Sequence, residues 1–579
     1  MKNMGIRREK MSDAKLVRKV YELISPYKWL FVLTYSVLVA ELVFEQMLPK
    51  ILSRLVDVAV YAPDIHAFLR IALVYGAVFC AYAACGFLQL QIWQYEHNSC
   101  IYDIRRKCCD RLFRFKASKL CNIKSGDVLR TLDSDCDEVH HFVQRYAMRI
   151  VNAGMGTVVS LVLVARVRLE IALFMALFVP LSLFVSRAIE NRIKASAEAL
   201  RKKQGELSAW LMEVLKGKLQ VKLLGADKYA YDQYSEKNKE VISAHAKQDA
   251  ISFATDKIIG LVNLVCDICF YIICAVVAAK GNLTAGNYVA VSAYYSIIVF
   301  NVRKVMNGNV EYQKRKVCIE RVLKILESDT ETSGNAVLGE KIEKIDVDGL
   351  TFSYDGKRQI LNDVSFSVKA GEVIGIAGAS GEGKTTIASL FLHLFEPEAG
   401  KISINNVNIL EIGYENLRKI IGVADQENII FDGTVRYNLT LGREIDESII
   451  WEMLKKAAIY DEINKLPDKL DTLLGNGGTM LSGGQIQRLC IARTMLREPQ
   501  IVILDEATSS LDRSSKDEVM QTLWSLTYGK TVIVISHDYD VLRQTDRVIY
   551  LNNGAIEAVG AADELFEKVP SFRRLFGGE

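Results

Sequence analysis

Eight residues carry the most specific chemistry in this chain: Gly378, Ala379, Ser380, Gly381, Glu382, Gly383, Lys384 and Thr385 fit the pattern G-x-x-x-x-G-K-[ST]. The spacing suits a phosphate. Glycines let successive backbone N–H groups turn inward, Lys384 adds a point charge, and the Thr385 hydroxyl can ligate Mg²⁺. The flanks fit as well, with an apolar strand at Val373–Ile376 in front and a helical segment at Ile387–Phe395 behind. The expected ligand is a nucleoside triphosphate with Mg²⁺, held by Gly378, Ala379, Ser380, Gly381, Gly383, Lys384, Thr385 and Thr386.

Two further apolar runs end in reactive side chains. Ile501–Leu504 leads into Asp505-Glu506, and Thr531–Ile535 leads into Ser536-His537. Buried parallel strands deliver the residues at their carboxyl ends to one crevice. Asp505 is therefore expected to hold Mg²⁺, Glu506 to polarise an attacking water and His537 to reach the γ-phosphate. Any one of these runs could be core packing followed by a turn, whereas three converging on one phosphate make a site. Residues Glu340–Gly356 read as two edge strands, and Tyr354, thirty residues before Lys384, is an aromatic able to stack on a purine. Leu481-Ser482-Gly483-Gly484-Gln485 is a glycine-containing turn at a helix start, a place that binds anions.

The elements that position these groups belong to the second half of a long chain. At 579 residues, half of them apolar, the sequence exceeds one core, and its character changes between about residues 310 and 340. Before that point, apolar stretches near Trp29–Leu48, Phe68–Gln89, Val143–Val164, Leu169–Ser186, Ile258–Ala279 and Tyr288–Val305 approach the length needed to cross a bilayer. The long connectors are basic, with Arg105, Arg106, Lys107 and Arg111 in one and Arg192, Lys194, Arg201 and Lys202 in the other. The positive-inside rule places them in the cytoplasm, where ATP is found. Their amphipathic character suggests helices that continue beyond the bilayer. Met1–Ser25 has no apolar core of a signal peptide. A net charge of +3 gives no argument for nucleic acid. The twelve cysteines have no disulfide spacing; Cys80, Cys85, Cys266, Cys269, Cys274 and Cys318 read as small buried hydrophobes. Carboxylates are costly in a bilayer, so Glu41, Glu45 and Asp267 are expected to line a pathway favouring a cationic or amphipathic cargo, or else to pair with Arg145, Arg149 or Arg303.

Taken together, the phosphate loop, Gln426, LSGGQ, Asp505-Glu506, Ser509-Ser510-Leu511-Asp512 and His537 resemble the ATPase set of the ATP-binding cassette (ABC) transporters. The arrangement is similar to an exporter-type half-transporter of the type IV fold. That resemblance implies an all-α six-helix transmembrane domain followed by an α/β P-loop ATPase domain. The expected division is a cytoplasmic segment 1–25, membrane domain 26–312, linker 313–339 and nucleotide-binding domain 340–579. It also implies roles: Tyr354 stacks on adenine, Gln426 contacts Mg²⁺ and the water, Glu506 is the general base, and Asp505 ligates Mg²⁺ through water. Ser482, Gly483, Gly484 and Gln485 would bind the nucleotide held by a second chain, which makes the working unit a dimer in the plasma membrane with its ATPase domains in the cytoplasm. Asn476, Ile486 and Asp538 depart from the family pattern without removing a catalytic group. Export of an amphipathic or hydrophobic cargo is the leading expectation; import of a metal chelate, or service as half of a heterodimer, are the alternatives.

Overall fold

The computed structural model describes residues 12–577 except 62, 121–122, 332–333, 340, 355, 425–427, 476–480 and 507–512, and shows backbone alone for residues 145, 178–179, 182–183, 185–194, 306–311, 313–314 and 513–518. The chain forms two units, one of Met1–Phe113 with Lys124–Ser328 and the other of Arg114–Ile123 with Asp329–Glu579.

The first unit is helical. After α1 (Asp13–Ile24) come α2 (Lys28–Tyr61) and α3 (Ile65–Phe113); α4 (Ala117–Leu120) belongs to the second unit. A third rod consists of α5 (Ser125–Arg130), α6 (Cys136–His141) and α7 (Arg149–Val167), joined by π-helical turns at Thr131–Asp135 and Phe142–Met148. Then follow α8 (Leu169–Lys216), α9 (Lys218–Leu223), α10 (Asp227–Ala279) and α11 (Ala285–Leu326). Each expected apolar stretch lies in one rod, and among the described residues four rods are long and apolar enough to cross a membrane. The usual burial rule is inverted on their outer faces: Leu73, Phe87 and Leu177 are exposed, as side chains that meet lipid are. Cys80 and Cys269, expected to be buried, are also exposed, whereas Cys266 and Cys274 are buried.

Polar contacts tie the rods together where water is scarce. Ser160 donates to Gln46 Oε1 at 2.8 Å, Tyr294 donates to the Gln46 carbonyl at 2.9 Å, and Asp57 accepts from the Gly286 N–H at 2.8 Å. At 49 residues, α3 spans about 70 Å by helical rise, more than twice a hydrocarbon core of about 30 Å. The rods thus continue well past the apolar stretches. Because α11 runs unbroken to Leu326, residues 313–326, expected as the start of a linker, are helix.

Among the described residues the second unit holds twelve strands: β1 (Lys344–Ser353), β2 (Gln359–Lys369), β3 (Val373–Ala377), β4 (Ala399–Ile404), β5 (Val407–Asn408), β6 (Ile421–Ala424), β7 (Gly433–Thr434), β8 (Leu473–Leu474), β9 (Ile501–Asp505), β10 (Thr531–Ile535), β11 (Arg547–Asn552) and β12 (Ala555–Gly560). An antiparallel sheet has the order β2-β1-β4-β5, and a mainly parallel one the order β12-β11-β3-β10-β9-β6. Instead of two edge strands, residues 344–353 form the single strand β1, paired on both sides. The apparent break is a bulge after Val347, where Gly349 adopts φ +58°.

Arg114–Ile123 packs into this unit through a buried Phe115 bridged to Thr330, a Glu331 N–H bond to the Arg114 carbonyl (2.7 Å), and a Lys116–Glu396 ion pair at 2.8 Å. Nearby, His393 is buried against the Tyr414 ring, and its Nδ1 has no hydrogen-bond partner among the described residues. Burial holds its pKa below 6.5; Lys116 and Arg418 reinforce the shift and Glu396 opposes it. The unfolded chain therefore takes this proton first, so the stability of the unit is complete above about pH 6.5 and falls as the pH drops below it. Glu396, held low by Lys116, loses its contribution only below the ordinary carboxylate range near 4.5. Between pH 6.5 and 5, the thermal midpoint of the full chain should fall, and His393→Asn should flatten that slope; an unchanged slope would refute the assignment.

Candidate functional site

The site is built by strand register. In the parallel sheet β10 lies between β3 and β9, and Ile535 is level with Ile376 on one side and Asp505 on the other. The ladder continues one step further, Glu506 N–H donating to the Ile535 carbonyl at 3.0 Å and Ser536 N–H to the Ile376 carbonyl at 3.4 Å. The three chains therefore leave the sheet together, delivering the Gly378 loop, Asp505-Glu506 and Ser536-His537 to one edge.

Behind the loop, the helix Lys384–Phe391 starts directly at the phosphate-loop lysine. Gly383 has φ +92°, and a Cβ there would sit 2.6 Å from Leu361 Cδ2, so only glycine fits. Lys384 Nζ donates to the carbonyls of Gly378 (2.8 Å) and Ala379 (3.0 Å), which hold its ammonium at the loop mouth. Burial lowers its pKa, against the opposing pull of Glu506, Asp505 and Glu382. Thr385 Oγ1 is 3.4 Å from the buried Asp505 Oδ1, so a hydroxyl and a carboxylate face each other as a hard-cation ligand pair would. Glu506 adopts φ +48°, rare for a residue with a side chain, and its Oε1 lies 3.4 Å from His537 Nδ1. These groups fit Mg²⁺ and a triphosphate: a glycine-rich loop, a lysine, a hydroxyl–carboxylate pair for the cation, and a second carboxylate beside a histidine.

The exposed Tyr354 ring meets Phe352 and Phe395 edge-on at 4.9 and 5.2 Å, and its hydroxyl is 3.0 Å from Thr386 Oγ1. More than half of Tyr354 is exposed, as stacking on a base requires. Ser380 and Gly381 lie in the loop, Gly381 with φ +88°. Ser482 begins the helix Gly483–Met495 in a capping box: its Oγ accepts from the Gln485 N–H at 3.4 Å, while Gln485 Oε1 accepts from the Ser482 N–H at 2.8 Å. The Gln485 side chain is therefore engaged in the cap, and the donors of Gly483 and Gly484 follow it in the first turn. Gln426, Asn476 and Ser509–Asp512 lie outside the described residues. Of the other departures, Ile486 packs against a core cluster with Leu481 and Leu489, and Asp538 caps a short helix by accepting from the Asp540 N–H at 2.9 Å.

In the first unit a cavity of about 550 Å³ is lined by Glu41, Glu45, Tyr82, Trp93, Arg149 and Lys304 among others. Asp267 is not part of it. Its carboxylate accepts from Tyr295 OH at 2.8 Å, and that ring stacks on Phe270 at 4.4 Å. Lys304 escaped the sequence reading, which singled out its neighbour Arg303. The signal available was Phe300, one helical turn back on the same cavity wall, whose ring Lys304 Nζ covers at 4.3 Å.

Residues 31–302 match the family "ABC transporter transmembrane region" and residues 361–509 match "ABC transporter". The chain belongs to the ABC transporter family. It therefore joins a helical transmembrane region to an ATP-hydrolysing domain in one polypeptide. It is 27% identical to the ABC transporter ATP-binding protein YwjA of Bacillus subtilis, over 97% of this chain and 98% of that one. It is 26% identical to an ATP-dependent lipid A-core flippase of Alcanivorax borkumensis, over 82% of each. A putative multidrug export ATP-binding/permease protein of Staphylococcus aureus is also 26% identical, over 97% and 99%. Among solved structures, a bacterial Atm1-family ABC exporter with ATP bound has the same fold, with a TM-score of 0.78 at 21% identity over 97% of this chain and 98% of that one.

Replacing Gly383 by Ala should weaken ATP binding at least about tenfold, because the left-handed backbone costs roughly 1–3 kcal/mol and the new Cβ must displace Leu361. Titration with a fluorescent ATP analogue tests it; unchanged affinity would contradict the steric argument.

Proposed function

We propose that two copies of this chain form an ATP-driven exporter of an amphipathic cargo, each copy supplying one half of two composite ATP sites. The observation that carries this reading is the convergence of three parallel strand ends on one edge, with Lys384, Asp505, Glu506 and His537 within reach of one another.

Bound Mg²⁺–ATP would supply the phosphoryl group to be transferred and the cation that neutralises its charge. The chain's own residues do the rest. Backbone N–H groups from Gly378 to Gly383, with Thr386, bind the phosphates, and Lys384 holds a positive charge beside them. Thr385 and Asp505 hold the cation, with Gln426 as a further ligand. Glu506 takes the proton of the attacking water, and His537, against its carboxylate, keeps it oriented. Tyr354 provides the platform for adenine. Ser482, Gly483, Gly484 and the backbone of Gln485 offer a helix N-terminus to the nucleotide of the second copy. Glu506 and LSGGQ are both intact in this chain, which favours a homodimer over a heterodimer with one degenerate site.

Export rests on the relatives named for flippase and multidrug export activity. The cavity adds chemistry: two carboxylates and two cations balance one another beside Trp93, Tyr82 and Phe300, a lining suited to an amphipathic molecule rather than to a simple cation. Basic connectors favour an ATPase side in the cytoplasm of a multi-pass plasma-membrane protein. The Arg114–Ile123 segment packs within the ATPase unit, which gives ATP binding a handle on the rods that flank this segment in sequence. Two ATP molecules clamped between two copies would then draw the rods together and reopen the cavity on the other side, with hydrolysis as the reset.

In lipid nanodiscs the chain alone should hydrolyse ATP, faster with a suitable amphipathic compound. Glu506→Gln should lower the rate at least about a hundredfold while leaving ATP binding intact. Undiminished hydrolysis by that variant would refute the assigned base, and activity only after a second, different chain is added would refute the homodimer.

A further inference from the structure

Three of the chain's seven histidines meet at one point in the helical unit, against Trp93, and none of them lines the cavity that Trp93 shares with Glu41 and Glu45. Helix α3 supplies His97, and α6 supplies His140 and His141; one nitrogen of each lies within 4.8 Å of the others. His97 Nδ1 and His140 Nδ1 are 3.0 Å apart. Adjacent residues on a helix diverge by about 100°, so His140 and His141 serve one point only because it lies beside the helix, at the seam with α3. Alpha-helix α6 is a short piece between two π-helical turns, a departure from regular geometry that is frequent at functional sites.

The hydrogen bonds around the cluster fix its chemistry. His140 is fully buried, and its Nε2 lies 3.1 Å from Oε1 of the equally buried Glu96. With Glu96 Oε1 accepting, Nε2 carries the hydrogen and Nδ1 presents its lone pair toward His97. The other Glu96 oxygen accepts from Thr34 Oγ1 at 2.8 Å, which holds the carboxylate in place. Carboxylate, imidazole, then a lone pair aimed at a neighbouring imidazole nitrogen is an order that suits metal-ligating histidines, with a bound ion replacing the proton between the two rings. Ring packing accounts for Trp93 stacking on His97 and His141, with centroids 5.0 and 6.2 Å away. It does not account for a carboxylate buried behind the rings, which a nearby cation would stabilise.

We propose that His97, His140 and His141 bind one divalent first-row transition-metal ion, with Glu96 orienting His140 and a fourth position open to water or an incoming ligand. Imidazoles select Zn²⁺, Co²⁺, Ni²⁺ or Cu²⁺ over Mg²⁺ and Ca²⁺, so the site does not compete with the ATP site for its cation. Nitrogens on a tetrahedral ion with bonds of about 2.0–2.1 Å lie roughly 3.3 Å apart. The 3.0 Å pair already meets that spacing, and the widest separation closes by about 1.5 Å through ring rotation. The ion joins α3 to α6. Because Trp93 both covers two of the ligands and lines the cavity, occupancy fixes one part of the cavity wall.

The test uses the full chain, prepared without a polyhistidine tag, stripped with chelator and reconstituted in nanodiscs. Co²⁺ titration should give ligand-field absorption of a nitrogen-ligated ion at one per chain, displaced by Zn²⁺. Both His97→Ala and the more conservative His97→Asn should weaken binding at least about a hundredfold, and Glu96→Gln about 10- to 100-fold. Basal ATP hydrolysis retained by each variant shows that it is folded. Absence of the absorption, binding unaltered in both His97 variants, or thiolate-to-cobalt charge transfer in the near ultraviolet would overturn the assignment, the last by placing the ion on cysteines.

Discussion

The main-chain ladder of the parallel sheet is the constraint on which the ATPase half depends. Since β3, β10 and β9 are hydrogen-bonded in register, their ends cannot be moved independently, and the residues that follow each end share one edge. Buried aliphatic side chains from both faces lock that register: Ile374, Ile376, Ile503, Ile533 and Ile535 belong to one cluster, while Val502, Leu504, Val532 and Val534 belong to another on the opposite face. A one-residue slip would turn both faces inside out. The chemistry is then added by residues that a strand tolerates poorly. Gly383 and Glu506 both sit in left-handed backbone, where the surrounding structure over-determines them.

The membrane half solves a different problem. Its rods expose apolar side chains outward, so hydrophobic burial cannot hold them together, and association rests on packing and polar pairs between helices. Gln46 with Ser160 and Tyr294, Asp57 with the start of α11, and Asp267 with Tyr295 are such pairs. Charges that the packing leaves unabsorbed, Glu41, Glu45, Arg149 and Lys304, gather instead around a cavity. The same rule thus separates structural from cavity-facing carboxylates: Asp267 has a hydroxyl partner on the neighbouring helix and lies outside the cavity lining.

How far the sequence could be read follows from the range of the interactions involved. The phosphate loop, the strands around it and Asp505-Glu506 were legible because each is a local pattern: an apolar run of strand length, then residues of fixed type. β1 was misread because the Gly349 bulge interrupts its alternation, and alternation is the local signal for a strand. The apolar stretches of the rods were visible, whereas the continuation of α11 to Leu326 runs through polar residues that look like a linker. Which helices face one another is a tertiary property. Period and spacing place Asp267 inside a span but cannot say that Tyr295 meets it, and nothing within the segment around either His97 or His140 announces the other. Adjacent histidines in a helix beside a π-helical turn were the faint clue.

The proposed dimer shares its ATP sites between two copies, with Lys384 of one acting with Ser482 of the other. The most direct measurement is ATP hydrolysis by dimers of defined composition, built from Lys384→Ala and Ser482→Arg. With the two substitutions on different copies, one composite site is damaged twice and the other stays whole, so about half of the parent activity should remain if the sites act independently, and clearly more than background if they do not. With both on one copy beside an unaltered partner, each site is damaged once and activity should fall to background. Equal activity in the two pairings, or more in the second, would contradict sites formed across the dimer.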